Sequence, residues 1–249
     1  MEQTIKTGMV TAGSIPRTAA IVLAAGQGKR MQAKVAKQYL LLKDKPVLYY
    51  ALRAFENSFV DEVILVTGKG EEEYCRREIV ERYGFQKVTR IVAGGKERYH
   101  SVYQGLCALT GADVVMIHDG ARPFLTEEIL KRAYDAAQEM GACVVGVPVI
   151  DTIKIADEKG YVESTPDRSR LYGIQTPQAF RYPLIRSAYD QLIAQEEELL
   201  AKGIRITDDA MVAETMLNCP VKIVEGSYDN IKITTPGDLI RAQALVPEA

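Results

Sequence analysis

A run of small residues followed by fixed positive charge starts at Leu23. The string Leu23-Ala24-Ala25-Gly26-Gln27-Gly28-Lys29-Arg30-Met31, with Lys37-Gln38-Tyr39 behind it, follows directly on an apolar segment. Glycines let backbone N–H groups approach phosphate oxygens closely, which side chains would prevent. Arg30 offers a planar fork of donors and Lys37 a point charge, the two ways in which side chains offset phosphate charge. Two common phosphate motifs are excluded. Met31 stands where a dinucleotide fingerprint needs its third glycine, and no Gly-Lys-Ser/Thr follows as in a P-loop. A tight turn with solvated basic residues would account for the glycines alone, but not for the whole string.

Further strings hold the remaining candidates. Gly94-Gly95-Lys96-Glu97-Arg98-Tyr99-His100-Ser101 again links a strand to a helix. Arg98 and Ser101, three residues apart, share a helix face. His118-Asp119-Gly120-Ala121-Arg122-Pro123 places Asp119 and Arg122 at a strand end. Asp119 can accept bonds from hydroxyls, and Arg122 can grip a phosphate. For His118 the preferred reading is a histidine at the core edge, bonded to backbone. Thr207 precedes two acids and a helix, which suits an N-cap.

These strings need a scaffold that brings strand ends together, and the chain's pattern supplies one. Short apolar runs at 19–25, 62–67, 88–93, 113–118 and 142–148 predict strands buried on both faces of a parallel sheet. Helical patterns lie between them: 46–57, 71–83, 97–109 and 127–140, the last capped by Thr126. Further helices are expected at 183–201, 208–216 and from Pro236, with strands near 221–224 and 230–234. The fold class is α/β, a Rossmann-like doubly wound, mostly parallel sheet. In such sheets ligands sit beyond the carboxyl ends of the strands. Residues 149–173 break the rhythm. TIKIA and YVEST flank an Asp-Glu-Lys-Gly turn and predict a β-hairpin arm that either extends the sheet or reaches a second subunit. Residues 1–18 read as a flexible leader, and 19–249 as one domain.

Composition limits the alternatives. The chain has 249 residues, 26% charged, and a net charge of −2, so a polyanion site must be built locally. No basic stripe with interleaved aromatics points to nucleic acid. No apolar run reaches the ~18–20 residues of a membrane span. Four scattered cysteines and two histidines make a zinc site a poor reading and suit reduced thiols in the cytoplasm.

The first string and KQY resemble the nucleotidyltransferases that activate small phosphates with CTP. HDGARP, Gln175-Thr176-Pro177-Gln178 and Asp229-Asn230-Ile231-Lys232 resemble, more narrowly, the 2-C-methyl-D-erythritol 4-phosphate cytidylyltransferases of the non-mevalonate isoprenoid pathway, in order and from about Ala19 to near the C-terminus. The resemblance implies that a polyol phosphate attacks the α-phosphorus of CTP and releases pyrophosphate. By motif position, Arg30, Lys37 and Lys232 stabilise the transition state. Ala24, Ala25, Gly26 and Gly28 hold the nucleotide with Gly95, Lys96, Arg98 and Ser101. Asp119, Arg122, Thr152, Arg168 and Thr207 meet the acceptor. Thr152 and Arg168 do so from the arm, in the neighbouring subunit of a homodimer. Mg²⁺ is expected to bridge the CTP phosphates, with Asp119 and Asp229 as carboxylates to inspect. His118 gets no catalytic role, because a phosphate nucleophile is already ionised.

Two other readings stay open at this point. A ribitol 5-phosphate cytidylyltransferase would share the scaffold, but such enzymes tend to read ILAGG and HDxVRP where this chain reads LAAG and HDGARP. A nucleotide-binding module without catalysis would be expected to lack Arg30, Lys37 or Lys232, and all three are present.

Overall fold

The structure, a computed structural model, describes residues 17–26 and 36–246. The expected leader over 1–16 lies outside them, and Thr18 already opens the first strand. In chain order the elements are β1 (Thr18–Ala24), a 3-10 turn (Lys37–Tyr39), β2 (Leu41–Leu42), β3 (Lys45–Pro46), α1 (Val47–Glu56), β4 (Glu62–Thr67) and α2 (Glu72–Cys75), which a π-helical segment (Arg76–Glu81) continues. Then come β5 (Val88–Ala93), α3 (Arg98–Ala108), β6 (Val114–Asp119), α4 (Glu127–Met140), β7 (Ala142–Pro148), β8 (Ile155–Ala156) and β9 (Val162–Ser164). The chain ends with β10 (Tyr172–Arg181), α5 (Tyr182–Ala194), α6 (Glu196–Ala201), α7 (Asp209–Leu217), β11 (Lys222–Glu225) and α8 (Pro236–Leu245).

Seven strands form one sheet in the order β11-β7-β10-β6-β1-β4-β5. All neighbours are parallel except β10, which runs antiparallel between β6 and β7. Successive side chains of a strand point to opposite faces. Ala20, Val22, Val63, Leu65, Val114 and Met116 therefore face one buried layer with Leu48, Leu52 and Phe55 of α1 and Ile129, Leu130 and Ala133 of α4. Ala19, Ile21, Ile64, Val66, Val115 and Ile117 face the other, with Val102 and Leu106 of α3 and Ile185 and Tyr189 of α5. This double burial explains why the strands read as continuous apolar runs. At Gly105 the backbone of α3 lies so close to the sheet that an added Cβ would stand 2.6 Å from Ile21 Cγ2.

The structure corrects several expectations. Residues 230–234 form no strand. They run as an irregular segment fixed by Ile233, whose N–H donates to the Ala121 carbonyl at 2.9 Å and whose side chain is fully buried. The expected helix at 183–201 is two helices, broken at Gln195. Pro46 is the N-cap of α1 rather than its first residue, and Asp208, not Thr207, caps α7 by accepting from Met211 N–H at 2.9 Å.

The unanticipated element is β10. Its buried centre reads Gln-Thr-Pro-Gln, and a proline argues against a central strand because it cannot donate to the ladder. The structure resolves this with an irregularity. Pairing to β7 shifts between Ile174 and Gln178, and pairing to β6 begins only at Gln178, so Pro177 sits where no ladder bond is needed.

The hairpin is present but short. β8 and β9 pair antiparallel, closed by a turn in which Asp157 Oδ1 accepts from the N–H groups of Lys159 and Tyr161. Gly160 takes φ +84°, the left-handed conformation the turn requires. Among the described residues no helix is long and apolar enough to cross a membrane.

Candidate active site

Parallel strands in register end together. Leu23 lies beside Asp119, Ala24 beside Thr67, and Thr67 beside Ala93. The loops that follow these strands enclose a cleft of about 650 Å³. Ala25, Gly26, Lys37, Gly95, Lys96, Arg98, Ser101, Asp119 and Lys232 line it, together with Leu23, Gln38, Glu97 and Ala121. Five separate strings of the sequence therefore converge on one place. Gly28 and Arg30 lie outside the described residues.

The 3-10 turn brings Lys37 to the cleft by anchoring its neighbours. Gln38 is buried, and its amide donates to the Ala24 carbonyl at the end of β1. Tyr39 turns the other way, donating its hydroxyl to Glu71 Oε2 at 2.7 Å beside Cys75 Sγ at 3.0 Å. Burial pushes the Cys75 thiol up to about 11 and the Tyr39 phenol well above its ordinary range. Both stay protonated at neutral pH. Lys37 directly precedes these two anchors and lines the cleft, its side chain passing beside Gly26.

The loop before α3 is shaped by close approach. A Cβ at Gly94 would stand 2.6 Å from Ala25 Cβ, and one at Gly95 would stand 2.3 Å from His100 Cβ. Ser101 hydroxyl donates to the Glu97 carbonyl and accepts from Gly95 N–H at 3.1 Å, so it organises the loop that exposes Gly95 and Lys96. Glu97 and His100 complete a capping box, and His100 and Tyr99 both reach Glu196, tying the loop to α6.

Asp119 is the electrostatic centre. Lys232 Nζ lies 2.6 Å from its Oδ2, and Arg98 Nε 3.4 Å from its Oδ1. Burial alone would raise the Asp119 carboxyl. The charges of Arg98, Lys232 and Arg122 outweigh it and hold the group well below the carboxylate range. Arg98 in turn forms a two-pronged pair with Asp209, Nη1 to Oδ1 and Nη2 to Oδ2, each at 2.8 Å.

Other expected site residues lie away from the cleft lining. Ala24 is buried with its carbonyl taken by Gln38. Arg122 stands behind Asp119, buried, with Nη1 donating to the Asn230 carbonyl at 2.6 Å. Burial lowers its pKa against the attraction of Asp119. Thr207 is exposed, its hydroxyl directed at Met211 Sδ. Thr152 and Arg168 are exposed on the arm, where Arg168 Nη1 donates to the Ile150 carbonyl at 2.7 Å. Asp229 is exposed and its N–H donates to Ser227 Oγ. Both Asp119 oxygens face cations, and among the described residues no group of three or more His, Cys, Asp or Glu could hold a metal ion. These residues do not fit a metal centre held by the protein.

Several supporting residues carried little sequence signal. Gln178 accepts from the N–H groups of Asp209 and Ala210 at the start of α7 and donates to Asp208. Asn230 donates to Gln175 Oε1 and to the Thr176 carbonyl. Both residues lay inside the quoted strings without an assigned role. Asp209 was one of two acids behind Thr207, and Tyr189 lay inside an expected helix without an assigned role. His118 matches its expected role. It is fully buried, Nε2 meets the Arg122 carbonyl at 3.2 Å, and Nδ1 meets Thr176 Oγ1 at 3.0 Å.

Residues 18–248 match the family model for 2-C-methyl-D-erythritol 4-phosphate cytidylyltransferase. The chain belongs to that family. It is a nucleotidyltransferase of isoprenoid biosynthesis that uses CTP to make 4-diphosphocytidyl-2-C-methyl-D-erythritol. The enzyme of that name from Lachnoclostridium phytofermentans is 51% identical over 232 residues, covering 93% of this chain and 97% of the relative. Its namesake from Alkaliphilus metalliredigens is 47% identical and covers 91% of each chain. Among solved structures, 4-diphosphocytidyl-2C-methyl-D-erythritol synthase from Anaerococcus prevotii superposes with a TM-score of 0.78 at 36% identity, covering 92% of this chain and 95% of that one.

The buried His118 leads to a pH prediction. Burial lowers its pKa from 6.5 to about 4. Between these values the unfolded chain binds the extra proton and the folded chain does not. The contribution is fully present above pH 6.5 and is lost as pH falls toward 4. In His118→Gln, urea unfolding across this window is expected to show a flatter dependence of stability on pH, by up to about one proton. Equal slopes in the two proteins would show that another group is responsible.

Proposed function

We propose that the cleft is where the acceptor phosphate attacks CTP, and that its residues divide the work as follows. An acceptor phosphate oxygen forms a bond to the α-phosphorus. The bond from that phosphorus to the oxygen bridging the β-phosphate breaks, and pyrophosphate leaves with the electron pair. Such transfer depends on positioning and charge stabilisation. The observation that carries the reading is the convergence of Lys37, Lys232 and Arg98 with glycine backbone on one cleft.

Lys37, with Arg30 assigned by motif, offsets the charge that builds on the equatorial oxygens. Lys232 lies near the α-phosphate or acceptor, leaving Asp119 as phosphate oxygens replace it. Backbone at Ala25 and Gly26, with Gly28 assigned by motif, approaches the phosphates, with Ala24 fixing the strand end behind them. Gly95 and Lys96 meet the base and ribose on a loop held by Ser101, with Arg98 beside them. Asp119 accepts from acceptor hydroxyls, backed by Arg122. Mg²⁺, a usual companion of polyphosphates, would enter bound to CTP oxygens, and no step here depends on it.

A second part of the proposal concerns the arm. Between 150 and 170 every residue but Pro166 is exposed, including Ile150 at 65%, Tyr161 at 72% and Val162 at 61%. Apolar surface grouped in this way suits a protein partner. In our reading the enzyme is a homodimer, and the arm delivers Thr152 and Arg168 to the acceptor bound in the partner's cleft. Thr207 would border the same acceptor. The reading treats 19–249 as one catalytic domain working in the cytoplasm. The unpaired state of Cys75, Cys107, Cys143 and Cys219 agrees with a reducing compartment.

Pyrophosphate release with CTP and Mg²⁺ is expected to be far faster with 2-C-methyl-D-erythritol 4-phosphate than with ribitol 5-phosphate; the reverse order would overturn the acceptor while keeping the chemistry. Lys37→Ala is expected to lower kcat by about 10²–10³-fold with little change in CTP affinity, since its charge acts mainly in the transition state. A kcat within twofold of wild type removes Lys37 from the mechanism. Arg168→Ala is expected to weaken acceptor use. Mixing it with Lys37→Ala protein should restore activity, because one site of a mixed dimer then has both residues. No recovery after verified subunit exchange would refute the shared site.

A further inference from the structure

Four charges alternate in sign across the floor of the site. Asp209 at the start of α7 holds Arg98, Arg98 Nε lies near Asp119, and Asp119 holds Lys232. The first of these, Asp209, is fully buried and does not line the cleft. Its position is fixed from three sides. Tyr189 donates its hydroxyl to Oδ1 at 2.6 Å, the guanidinium of Arg98 takes both oxygens, and Gln178 Oε1 accepts from the Asp209 N–H at 3.0 Å. A carboxylate is kept out of water only with such pairing.

The geometry points to Asp209 as a positioning residue for Lys232, acting through Arg98 and Asp119. Asp209 takes one N–H from each Nη of Arg98 and so holds the end of the fork, and Arg98 meets Asp119 only through Nε, at the long distance of 3.4 Å. Asp119 is thereby left to bind Lys232 at 2.6 Å. Without the Asp209 charge, the planar fork of Arg98 would turn onto Asp119, the nearest remaining carboxylate. A two-pronged pair of that kind is the strongest form of carboxylate contact, and it would displace Lys232. The lysine would then be misplaced for the phosphate it serves. Asp209 therefore decides how the charge of Asp119 is divided between two cations.

The inference rests on the role given above to Lys232, and the experiment separates the two. Asp209→Asn, Lys232→Met and the double variant are compared in kcat and in KM for CTP, with thermal melting as the check on folding. Asp209→Asn is expected to lower kcat by about tenfold or more, with KM for CTP changed less than about threefold. In the Lys232→Met background the same substitution is expected to lower kcat by less than about twofold, because the group it positions is already gone. Full and additive losses in the double variant would overturn the inference. If Lys232→Met alone leaves kcat unchanged, the role of Lys232 fails instead. Should Asp209→Asn not fold, Tyr189→Phe takes its place in the same cycle. It removes one hydrogen bond to Asp209 and leaves the charge, so a smaller loss, again absent in the Lys232→Met background, is expected; additivity there counts against the inference as well.

Discussion

The site depends on keeping one carboxylate ionised at the end of a buried strand. Asp119 ends β6 with little exposure, where an unpaired charge would be untenable. Lys232 and Arg98 make it tenable, and in return Asp119 draws together parts of the chain that share no strand pairing: the loop after β11 and the start of α3. Arg98's second carboxylate partner, Asp209, brings in α7. On the proposed function, the cations that serve the phosphates are thus held together by the protein's own carboxylates. Preorganisation of this kind is how fixed charges become useful in a transition state, since they need not reorganise as charge develops.

Beneath the charges lies a neutral network that uses the antiparallel strand. β10 enters between β6 and β7 and carries polar side chains through the middle of the sheet. Thr176 Oγ1 accepts from Asp119 N–H and meets His118, while Gln178 receives the first amides of α7. Asn230 bonds to the Thr176 carbonyl and so fixes the segment that presents Lys232 two residues later. Each of these groups is buried, so each bond lost would leave an unsatisfied partner at a cost of about 1–3 kcal/mol. The irregular pairing around Pro177 is what lets these side chains leave the ladder pattern and serve the site.

The parallel strands were legible because burial on both faces writes itself as an unbroken apolar run, and the runs Ala19 to Ala25, Glu62 to Thr67 and Ala142 to Pro148 match the strands nearly to the residue. The strings at strand ends were legible because glycine, lysine and arginine at a strand-to-helix turn are an unusual combination. β10 escaped because the buried residues at its centre, Gln175, Thr176 and Gln178, are polar and satisfied by distant partners such as Ser227 and Asp208, which no local pattern announces. For the same reason Asp209 could not be separated from Asp208. Both are acids before a helix, yet one caps α7 locally while the other pairs with Arg98, 111 residues away. Residues 230–234 had a strand's composition, but their burial comes from packing Ile233 against Leu42, Val47 and Ala242 rather than from a ladder.

Lys37 and Lys232 reach the same cleft by the same device, although their local structures differ. Neither sits on a regular strand or a long helix. Lys37 is followed by Gln38 and Tyr39, which are tied to β1 and to Glu71. Lys232 is flanked by Ile231 and Ile233, and beyond them by Asn230, tied to β10. In each case the neighbours are held by burial and hydrogen bonds. A long, flexible lysine then delivers its charge from a rigid base, so that only its own side-chain entropy, about 2 kcal/mol, is left to be lost on ordering. Lys232 already has the carboxylate of Asp119 as a partner. In the proposed mechanism, exchange of that partner for a phosphate replaces one anion by another. A cation held in this way can be strongly bound before the reaction and still change partners within it.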